Sequence, residues 1–322
     1  MATPRMNASV PAPTFWTGKR VLVTGGGGFI GHAVVAALRG EGVTGGDLVV
    51  PRSSTHDLRD PDRCRAAVAG CDVVIHLAAP TGSIAFSRSH PASQYHDCML
   101  INLNLLAAAR AAGVERVIAL GNLLAYPADA DVPYREEKVH VGPVPPAYLG
   151  IGQSKRDLIN LAEMYRAEYG FHVVNVLGAN AYGPHDHFDG VQAHVIPATI
   201  VKCFRDEDLV VWGDGSPTRD FLFVDDLARG LLQAGAELEP AGLVNIASGT
   251  EVSIRELVTL IATLSGFRRR VVFDASRPGG DQRRVASTTR ADALLGFSPL
   301  VSLDEGLRRT IDWYQNTRTV IA

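Results

Sequence analysis

Three glycines at a fixed spacing are the first residues whose types suggest chemistry. Gly25, Gly28 and Gly31 lie in VLVTGGGGFIG, between an apolar run typical of a strand and an apolar pattern typical of a helix. Glycines at this spacing allow a tight turn, and the backbone N–H groups of the turn and the helix start can bind a pyrophosphate. Together with Phe29 and Ile30, the loop therefore predicts a nucleotide site rather than a simple turn.

The residues after the second predicted strand indicate which dinucleotide would bind. DLVV is followed by Pro51, Arg52 and Ser53, where an Asp or Glu would hold the 2′-hydroxyl of NAD. An arginine there favours the 2′-phosphate of NADP, and a solvated surface arginine is the alternative. Further candidates for contact with the cofactor are Asp57 and Leu58 in HDLRD, and Leu77, Ala78 and Ala79 in HLAAP.

The elements that must position these residues alternate along the chain. From Arg20, short β-branched runs such as RVLVT, DVVIHLAA and RVIALG alternate with helical patterns such as HAVVAALR and QSKRDLINLAEMYRAEYG. Continuous apolar runs are typical of buried parallel strands, and the helices between them form crossovers. The pattern predicts an α/β fold, a doubly wound parallel sheet. After about Gly183 it gives way to Gly- and Pro-rich loops, which commonly form a substrate lid.

Composition and charge restrict the class of protein. The chain has 322 residues, of which 46% are hydrophobic, and a net charge of −3. These values predict a globular chain that does not bind nucleic acid. The four cysteines form no CxxC pair, which suits a reducing cytoplasm, and no apolar run is long enough to span a membrane. Residues 1–18 are rich in Ala and Pro and predict a flexible lead-in.

Several motifs together resemble the extended short-chain dehydrogenase/reductase family, also described as the NAD-dependent epimerase/dehydratase family. They are VTGGGGFIG, DLRD, VIHLAA, YGPHDHF, HVIPATI and VVWGDGSPTRDFLFVDD. Within that family, the last three are similar to the GDP-fucose synthases. The resemblance implies a Rossmann domain over residues 19–183 and a smaller C-terminal α/β domain for a nucleotide sugar over residues 184–322, with some segments returning to the Rossmann sheet. It also implies a homodimer formed by helices near Met99–Ala112 and Ser154–Tyr169.

The proton relay of that family is incomplete in this sequence. Its members use a Ser or Thr after the fourth-strand region and a Tyr one helical turn before a Lys, so that both side chains share one helix face. Lys155 in YLGIGQSK keeps the lysine, which would also hold the cofactor ribose, but Ile151 stands at the tyrosine position. In GNLLAYP, Asn122 stands at the serine, beside the substrate, and Leu124 stands at a polar position that GDP-fucose synthases use for epimerisation.

Two tyrosines near this motif are alternative candidates. Tyr148 lies seven residues before Lys155, about 10 Å along a helix, so a loop would have to bend it back. Tyr182 in AYGP matches a family position usually assigned to packing and cofactor support. It is nevertheless a candidate for proton handling, together with His194 and Lys155.

The sequence keeps residues that match the nucleotide-sugar site of the GDP-fucose synthases. His194 in AHVIPA matches the general acid of GDP-fucose synthases, and imidazole changes charge near neutral pH; a packed or surface histidine is the alternative. An arginine can hold a diphosphate with two parallel hydrogen bonds, and a tryptophan offers a flat apolar face. Arg283 in GGDQRR is a candidate diphosphate ligand, with Arg284 as the competing choice. The residues assigned to the substrate are Asn122, Asn180, His194, Val195, Lys202, Trp212, Arg219 and Arg283.

Histidines beside carboxylates raise the question of a metal. HDHFDG and the pair His96–Asp97 contain groups that suit Mg, Mn or Zn. However, PHD and the following Phe belong to the metal-free family pattern, and no His-x3-His or cysteine spacing supports a closed site. No protein-bound metal is expected, although a divalent cation could accompany the diphosphate.

Three functions are compatible with the sequence. The first is an isomerase of a nucleotide sugar, GDP-linked by resemblance, without net redox chemistry. Its specific form is a pyranose/furanose mutase, because relatives in actinobacterial antibiotic pathways also lack the tyrosine. The second is an NADP-dependent epimerase or reductase with a relocated acid, such as Tyr148 or Asn122 with water. The third is an inactive scaffold that keeps the dimer and the nucleotide sites, since a glycine loop can persist after hydride chemistry is lost.

Overall fold

A parallel sheet lies at the centre of the computed structural model, which describes residues 14–82, 84–188, 193–205, 207–277 and 283–321. Its six strands are β1 (Val21–Thr24), β2 (Leu48–Val49), β3 (Val73–His76), β4 (Arg116–Asn122), β5 (His172–Gly178) and β10 (Leu243–Ile246), in the order β2-β1-β3-β4-β5-β10. Every neighbouring pair is parallel. The order reverses between β1 and β3, and ligands of such sheets bind beyond the strand ends at this reversal.

Helices cover both faces of the sheet, which confirms the predicted doubly wound α/β fold. They are α1 (Phe29–Gly40) and α7 (Val224–Glu237) on one face, and α2 (Pro61–Val68), α4 (Pro91–Ala111) and α5 (Leu149–Tyr169) on the other, with the short α3 (Ile84–Ser89) before α4. Along β1, Val21 and Val23 enter the core under α1 and α7, whereas Leu22 enters the core under α2, α4 and α5. Successive strand residues point to opposite faces, so a sheet covered on both sides requires an unbroken apolar run.

The elements after β5 build a third hydrophobic cluster. Two short pairs are β6 (Asn180–Tyr182) with β9 (Phe221–Phe223), and β7 (Leu209–Trp212) with β12 (Val271–Asp274). A small sheet joins β11 (Val252–Ser253), β8 (Thr218–Arg219) and β13 (Arg283–Arg284). The helices of this cluster are α6 (Val195–Cys203), α8 (Ile254–Leu264) and α10 (Leu303–Ile321), whereas α9 (Thr289–Leu295) packs on a core of the parallel sheet. Ile196, Ile261 and Leu307 belong to the third cluster, which is separate from the two cores of the parallel sheet.

Part of the predicted N-terminal lead-in belongs to the core. Residues 1–13 lie outside the described residues, but Trp16 is 3% exposed and belongs to the core of the parallel sheet. Phe15 packs edge-to-face on Trp16, and the Arg116 guanidinium lies 4.5 Å from the Phe15 ring centroid. The prediction of a flexible segment up to Gly18 is therefore wrong for residues 14–18, because two adjacent aromatic side chains find apolar surface to bury.

No helix in the described ranges has both the length and the apolar character required to cross a membrane.

Candidate active site

The glycine loop joins β1 to α1 at the reversal of strand order. Gly28 precedes the helix with an extended backbone, and Gly25 has a φ of 70°, in the left-handed region. A Cβ atom at Gly31 would overlap the Gly25 carbonyl oxygen, and one at Gly25 would lie 3.0 Å from the Ala78 nitrogen. Both positions therefore require glycine, and the first N–H groups of α1 have no acceptor within the helix. This is the geometry of an anion site.

A cavity of about 330 Å³ lies beside the glycine loop. Its lining includes these residues of the predicted cofactor site: Gly25, Gly28, Arg52, Asp57, Leu58 and Ala78. Phe29 and Ile30 form the first turn of α1, and Leu77 and Ala79 flank Ala78, outside the lining itself. Ser53, His56 and Ile101 also line the cavity, and the sequence assigned no role to them. Ser53 and His56 are close to Arg52 in the chain, and this proximity could have identified them as candidates for contact with the cofactor.

The charges around this cavity suit a phosphate. Asp57 is bound by Arg59, with a shortest oxygen–nitrogen distance of 2.7 Å, and these hydrogen bonds lower the pKa of Asp57 to about 2. The Asp57 charge is therefore neutralised locally. Arg52 has no carboxylate partner in the described part of the chain. The residues present thus fit a dinucleotide with a 2′-phosphate.

A buried chain of hydrogen bonds supports the strand ends below the loop. His76 Nδ1 lies 2.8 Å from Thr24 Oγ1, and His76 Nε2 lies 3.1 Å from Asn102 Oδ1. The amide oxygen only accepts, so Nε2 carries the proton and Thr24 donates to Nδ1. Burial and the charge of Lys155 lower the pKa of His76 to about 4, which keeps the ring neutral.

Lys155 lies on α5 beneath this region. It is 7% exposed, and its Nζ donates to the Leu120 carbonyl oxygen over 2.9 Å. Burial lowers the pKa of Lys155, because the charged ammonium loses hydration. Ile151, one turn earlier, is 3% exposed. A buried hydrocarbon side chain thus occupies the position where the family relay has a phenol.

Two glycines beside Ile151 hold the start of α5 against its neighbours. A Cβ atom at Gly150 would overlap the Pro91 carbonyl oxygen at the start of α4, and one at Gly152 would overlap the Leu124 carbonyl oxygen. The turn that contains Leu124 is capped by Asn122, whose Oδ1 accepts from the Leu124 N–H over 3.1 Å. These contacts were not predicted from the sequence, although the repeat Gly-Ile-Gly is a signal of close packing.

Tyr148 is directed towards an arginine. It ends a short 3-10 turn, Pro146–Tyr148, immediately before α5. The guanidinium carbon of Arg284 lies 5.2 Å from the centroid of the Tyr148 ring. A cation over an aromatic ring at this distance is an attractive contact.

The predicted general acid, His194, is paired with a carboxylate that the sequence analysis did not single out. Its Nδ1 lies 3.2 Å from Asp186 Oδ1 and 3.3 Å from Asp186 Oδ2. The Asp186 side chain is 1% exposed and that of His194 is 62% exposed. Hydrogen bonding to Asp186 raises the pKa of His194. Such a pair can hold or move a proton at the outer nitrogen, Nε2.

The small sheet separates the two candidate diphosphate arginines. Arg284 is paired with Arg219 across the parallel strands β13 and β8, whereas Arg283 is paired with Thr218. Paired residues project to the same face and successive residues to opposite faces, so Arg219 and Arg284 share one face. Arg283 is bound to Glu251 on the other face, with nitrogen–oxygen distances of 2.7 Å. The geometry therefore favours Arg284 over Arg283 as the partner of Arg219.

The other predicted substrate residues occupy different surroundings. Asn180 donates to the Asp220 carbonyl oxygen over 2.8 Å, beside β8. Lys202 donates to the Val210 carbonyl oxygen over 2.8 Å, and burial lowers its pKa. Val195 is the first residue of α6, next to His194. Trp212 is 61% exposed, and Arg277 lies 5.0 Å from its ring centroid.

Tyr182 is a packing residue in this structure. It is 2% exposed, and its hydroxyl donates to the Leu303 carbonyl oxygen over 3.3 Å inside the third cluster. Burial raises the pKa of Tyr182, so the hydroxyl keeps its proton. The prediction that Tyr182 handles protons with His194 and Lys155 is not supported, because the phenol is fixed on a backbone acceptor away from solvent.

No group of three potential metal ligands occurs among the described residues. His96 Nδ1 and Asp97 Oδ1 are 3.3 Å apart on the surface of α4. In HDHFDG, His185 stacks on His32 and Asp186 binds His194, while Asp189 and Gly190 lie outside the described residues.

The fold and the glycine loop define a dinucleotide-binding Rossmann protein. A model of the "NAD dependent epimerase/dehydratase family" matches residues 21–247, and the chain belongs to this family. It is 34% identical to GDP-L-fucose synthase 1 of Arabidopsis thaliana, over 92% of this chain and 93% of that one. It is 32% identical to the GDP-L-fucose synthase of Escherichia coli K12, over 92% of this chain and 96% of that one. A solved GDP-L-fucose synthetase from Naegleria fowleri bound to NADP superposes with a TM-score of 0.85 at 28% identity, over 95% of each chain.

Proposed function

We propose that this protein is an enzyme that rearranges a GDP-linked sugar without net redox chemistry. The observation that carries the proposal is the buried Ile151 one helical turn before Lys155. A hydrocarbon side chain cannot exchange a proton with the sugar while hydride moves, so the relay that serves reduction lacks its central group. The specific reaction is the interconversion of pyranose and furanose forms of a GDP-hexose, as the resemblance to mutases of antibiotic pathways suggests.

The relatives and the small sheet support the proposed substrate class. The similar proteins are named for GDP-L-fucose synthesis. Arg219 and Arg284, the latter 8% exposed, share one face of the small sheet, and guanidinium groups suit a diphosphate. Trp212 offers a flat face for the nucleobase. In this proposal the lobe around the third cluster, within residues 184–322, holds the nucleotide sugar, and residues 19–183 form the dinucleotide domain.

His194 is the group that transfers protons in this proposal. Its outer nitrogen lies away from the Asp186 carboxylate, and hydrogen bonding to Asp186 raises its pKa, which favours the charged form. Lys155 is too deeply buried to serve as a solvent-exchanging acid, and its place in the proposal is to hold the cofactor ribose at the end of β4.

NADP is the proposed dinucleotide. The glycine loop would hold the pyrophosphate, Arg52 would hold the 2′-phosphate, and Asp57, Leu58 and Ala78 would line the adenosine site. When bound, NADP supplies the capacity for hydride transfer. A divalent cation on the diphosphate is part of the proposal only as a companion of the substrate.

A second candidate is an NADP-dependent epimerase or reductase of a GDP-sugar. The names of the relatives favour it, as does the intact dinucleotide cavity. It requires an acid other than a tyrosine at position 151, and Tyr148 or a water held by Asn122 would have to provide it. The third candidate, an inactive scaffold, predicts no turnover of any sugar nucleotide.

A homodimer through α4 and α5 is also proposed. These helices pack on each other, and Leu103, Met164 and Tyr169 are exposed on them although they are large and apolar. Apolar side chains on adjoining helices are typical of a surface that a second copy covers.

One experiment separates the three functions. The protein is stripped of bound dinucleotide and incubated with a panel of GDP-, UDP- and dTDP-hexoses, with no dinucleotide, with NADP or with NADPH, each with Mg²⁺ or with a chelator. Products are separated by chromatography and weighed by mass spectrometry, and the absorbance of reduced nicotinamide is followed. An isomer of equal mass, formed at constant absorbance and without label transfer from deuterated NADPH, supports the isomerase. Stoichiometric consumption of NADPH would show that the protein is a reductase. If no mixture gives a product, the inactive scaffold is the remaining candidate.

A further inference from the structure

The loop between β6 and α6 holds a carboxylate in a fixed position. It reverses direction through Gly183, at a φ of 153°, and through His185, which has a φ of 68° although it is not glycine. Asp186 follows at once and is buried, and its Oδ1 accepts from the His187 N–H over 2.7 Å. A buried carboxylate needs partners that stabilise its charge, so its orientation is restricted.

The loop is also attached to the dinucleotide side of the molecule. The His185 ring stacks on the His32 ring, with centroids 4.2 Å apart and planes at 10°. His32 Nδ1 lies 2.9 Å from the carbonyl oxygen of Gly28 in the glycine loop. His185 also contacts Trp313, at 5.0 Å between ring centroids. Packing against these two rings restricts the backbone that carries Asp186.

His194 is the second hydrogen-bond partner of the Asp186 carboxylate. Both carboxylate oxygens lie within 3.3 Å of Nδ1. A carboxylate accepts only, so Nδ1 carries a proton and the unshared pair of the neutral ring lies on Nε2. The side-chain exposures, 1% for Asp186 and 62% for His194, place the carboxylate on the inner side of the ring. Nε2 is therefore the nitrogen that a substrate can reach.

We propose that Asp186 is the positioning residue of His194, fixing its tautomer and orientation so that Nε2 gives and takes the proton of a bound nucleotide sugar. This inference rests on the proposed function for the identity of the substrate. Asp186 does not touch the reacting atoms in this arrangement. It acts through the imidazole.

The charges around His194 give the direction of the pH dependence. His194 precedes α6 as its N-terminal cap, and the positive end of a helix dipole disfavours a cation there. Asp186 opposes this effect and raises the pKa of His194. Lys202, two turns along α6, is hydrogen-bonded to Val210, and the described part of the loop also carries the titratable His185, stacked on His32, and His187. Removal of the Asp186 charge should therefore lower the His194 pKa.

The first test needs no substrate. Nitrogen-15 NMR of the full-length protein reports the tautomer and the pKa of His194, which His194→Asn identifies among the ten histidines. Wild-type protein should show a proton on Nδ1. Asp186→Asn should lower the His194 pKa by about one unit and populate the other tautomer, and Asp186→Glu should restore much of both. A proton on Nε2 of neutral wild-type His194, or a pKa unchanged in Asp186→Asn, overturns the inference, and the wild-type measurement decides even if a variant does not fold.

A matched control separates positioning from structural support. Asp226 is also buried, and its carboxylate accepts from the Leu300 and Val301 N–H groups over 2.9 to 3.0 Å. Asp226→Asn should lower the melting temperature without moving the His194 pKa or tautomer. If both variants move the His194 pKa equally, the effect is general loosening and the positioning role is wrong.

Turnover gives the second test. With the sugar nucleotide that the protein isomerises, Asp186→Asn should lower kcat about 10- to 100-fold with little change in KM. The alkaline limb of its pH profile should shift to lower pH, because a general acid with a lower pKa loses its proton earlier. If the NMR results hold and no sugar nucleotide reacts, the proposed function fails and the tautomer assignment stands. If turnover occurs and Asp186→Asn keeps its rate and pH profile, the positioning role fails and the proposed function stands.

Discussion

The surroundings of Lys155 and of His194 differ in what they leave available for chemistry. Lys155 is enclosed, its ammonium is engaged with the Leu120 carbonyl, and the side chain one turn away is the hydrocarbon of Ile151. His194 is bound on its inner side by the buried Asp186 and is exposed on its outer side. A buried cation engaged with a backbone carbonyl can bind and orient, whereas an imidazole paired on one nitrogen and exposed on its outer side can transfer protons.

If the proposed function holds, this difference indicates how a fold can keep its binding site while its reaction changes. The glycine loop and the chain Thr24–His76–Asn102 depend on backbone geometry and on burial, which support the sheet whether or not hydride moves. In the proposed function the relay is lost because Ile151 cannot exchange a proton, while the start of α5 stays well packed through Gly150 and Gly152.

The largest expected effect is the loss of the outer nitrogen of His194. His194→Asn should lower kcat by about 100- to 10,000-fold, because a positioned general acid contributes that much to proton transfer. His96→Asn is the control, since His96 is an exposed histidine on α4. Steady-state assays of isomer formation measure both variants. Equal rates for the wild type and His194→Asn would contradict the role of His194 and would indicate that proton transfer occurs near Lys155 instead.

The next effect concerns how the nucleotide sugar is held near His194. Arg284→Met should weaken the binding of GDP by about 10- to 100-fold, because it removes a charged hydrogen-bond donor from the face shared with Arg219. Arg283→Met is the matched control and should change GDP affinity less than about threefold, since Arg283 is bound to Glu251 on the opposite face. Isothermal titration calorimetry measures both, and the reverse order would restore Arg283 as the diphosphate ligand.

The neighbouring pair Arg283–Arg284 also shows where the sequence was insufficient. The fold and the glycine loop were predictable, because apolar runs and glycine spacing are local signals that the backbone obeys directly. The face of each arginine depends on the register of two-residue strands, which no local pattern encodes. Asp186 was missed for a related reason: it is eight residues from His194 in the chain, and no local pattern predicts that the two side chains meet. The burial of Trp16 was not predicted, because the Ala and Pro residues before it are typical of a flexible segment.

A smaller effect is expected at the dinucleotide cavity. Arg52→Ala should weaken NADPH binding by about tenfold and leave NADH binding nearly unchanged, because Arg52 lines the cavity without a carboxylate partner in the described ranges. Quenching of protein fluorescence measures both affinities, and Arg39→Ala, in the last turn of α1, is the control. If NADPH and NADH affinities fall together, Arg52 supports the loop and does not select the phosphate.

The smallest effect is expected for the hydroxyl of Tyr148. This prediction tests whether Tyr148 replaces the tyrosine that is absent at position 151. Tyr148→Phe keeps the ring that Arg284 contacts at 5.2 Å and removes only the acidic group. Turnover should change less than about twofold, because the contact of a cation with an aromatic ring does not need the hydroxyl. Tyr148→Ala removes the ring and should raise KM for the sugar nucleotide while kcat changes little, since Arg284 loses its support. A loss of kcat in Tyr148→Phe as large as in His194→Asn would instead identify the phenol as a relocated acid. The Lys155 region would then have moved its proton donor three residues along the chain, from position 151 to Tyr148, rather than lost it.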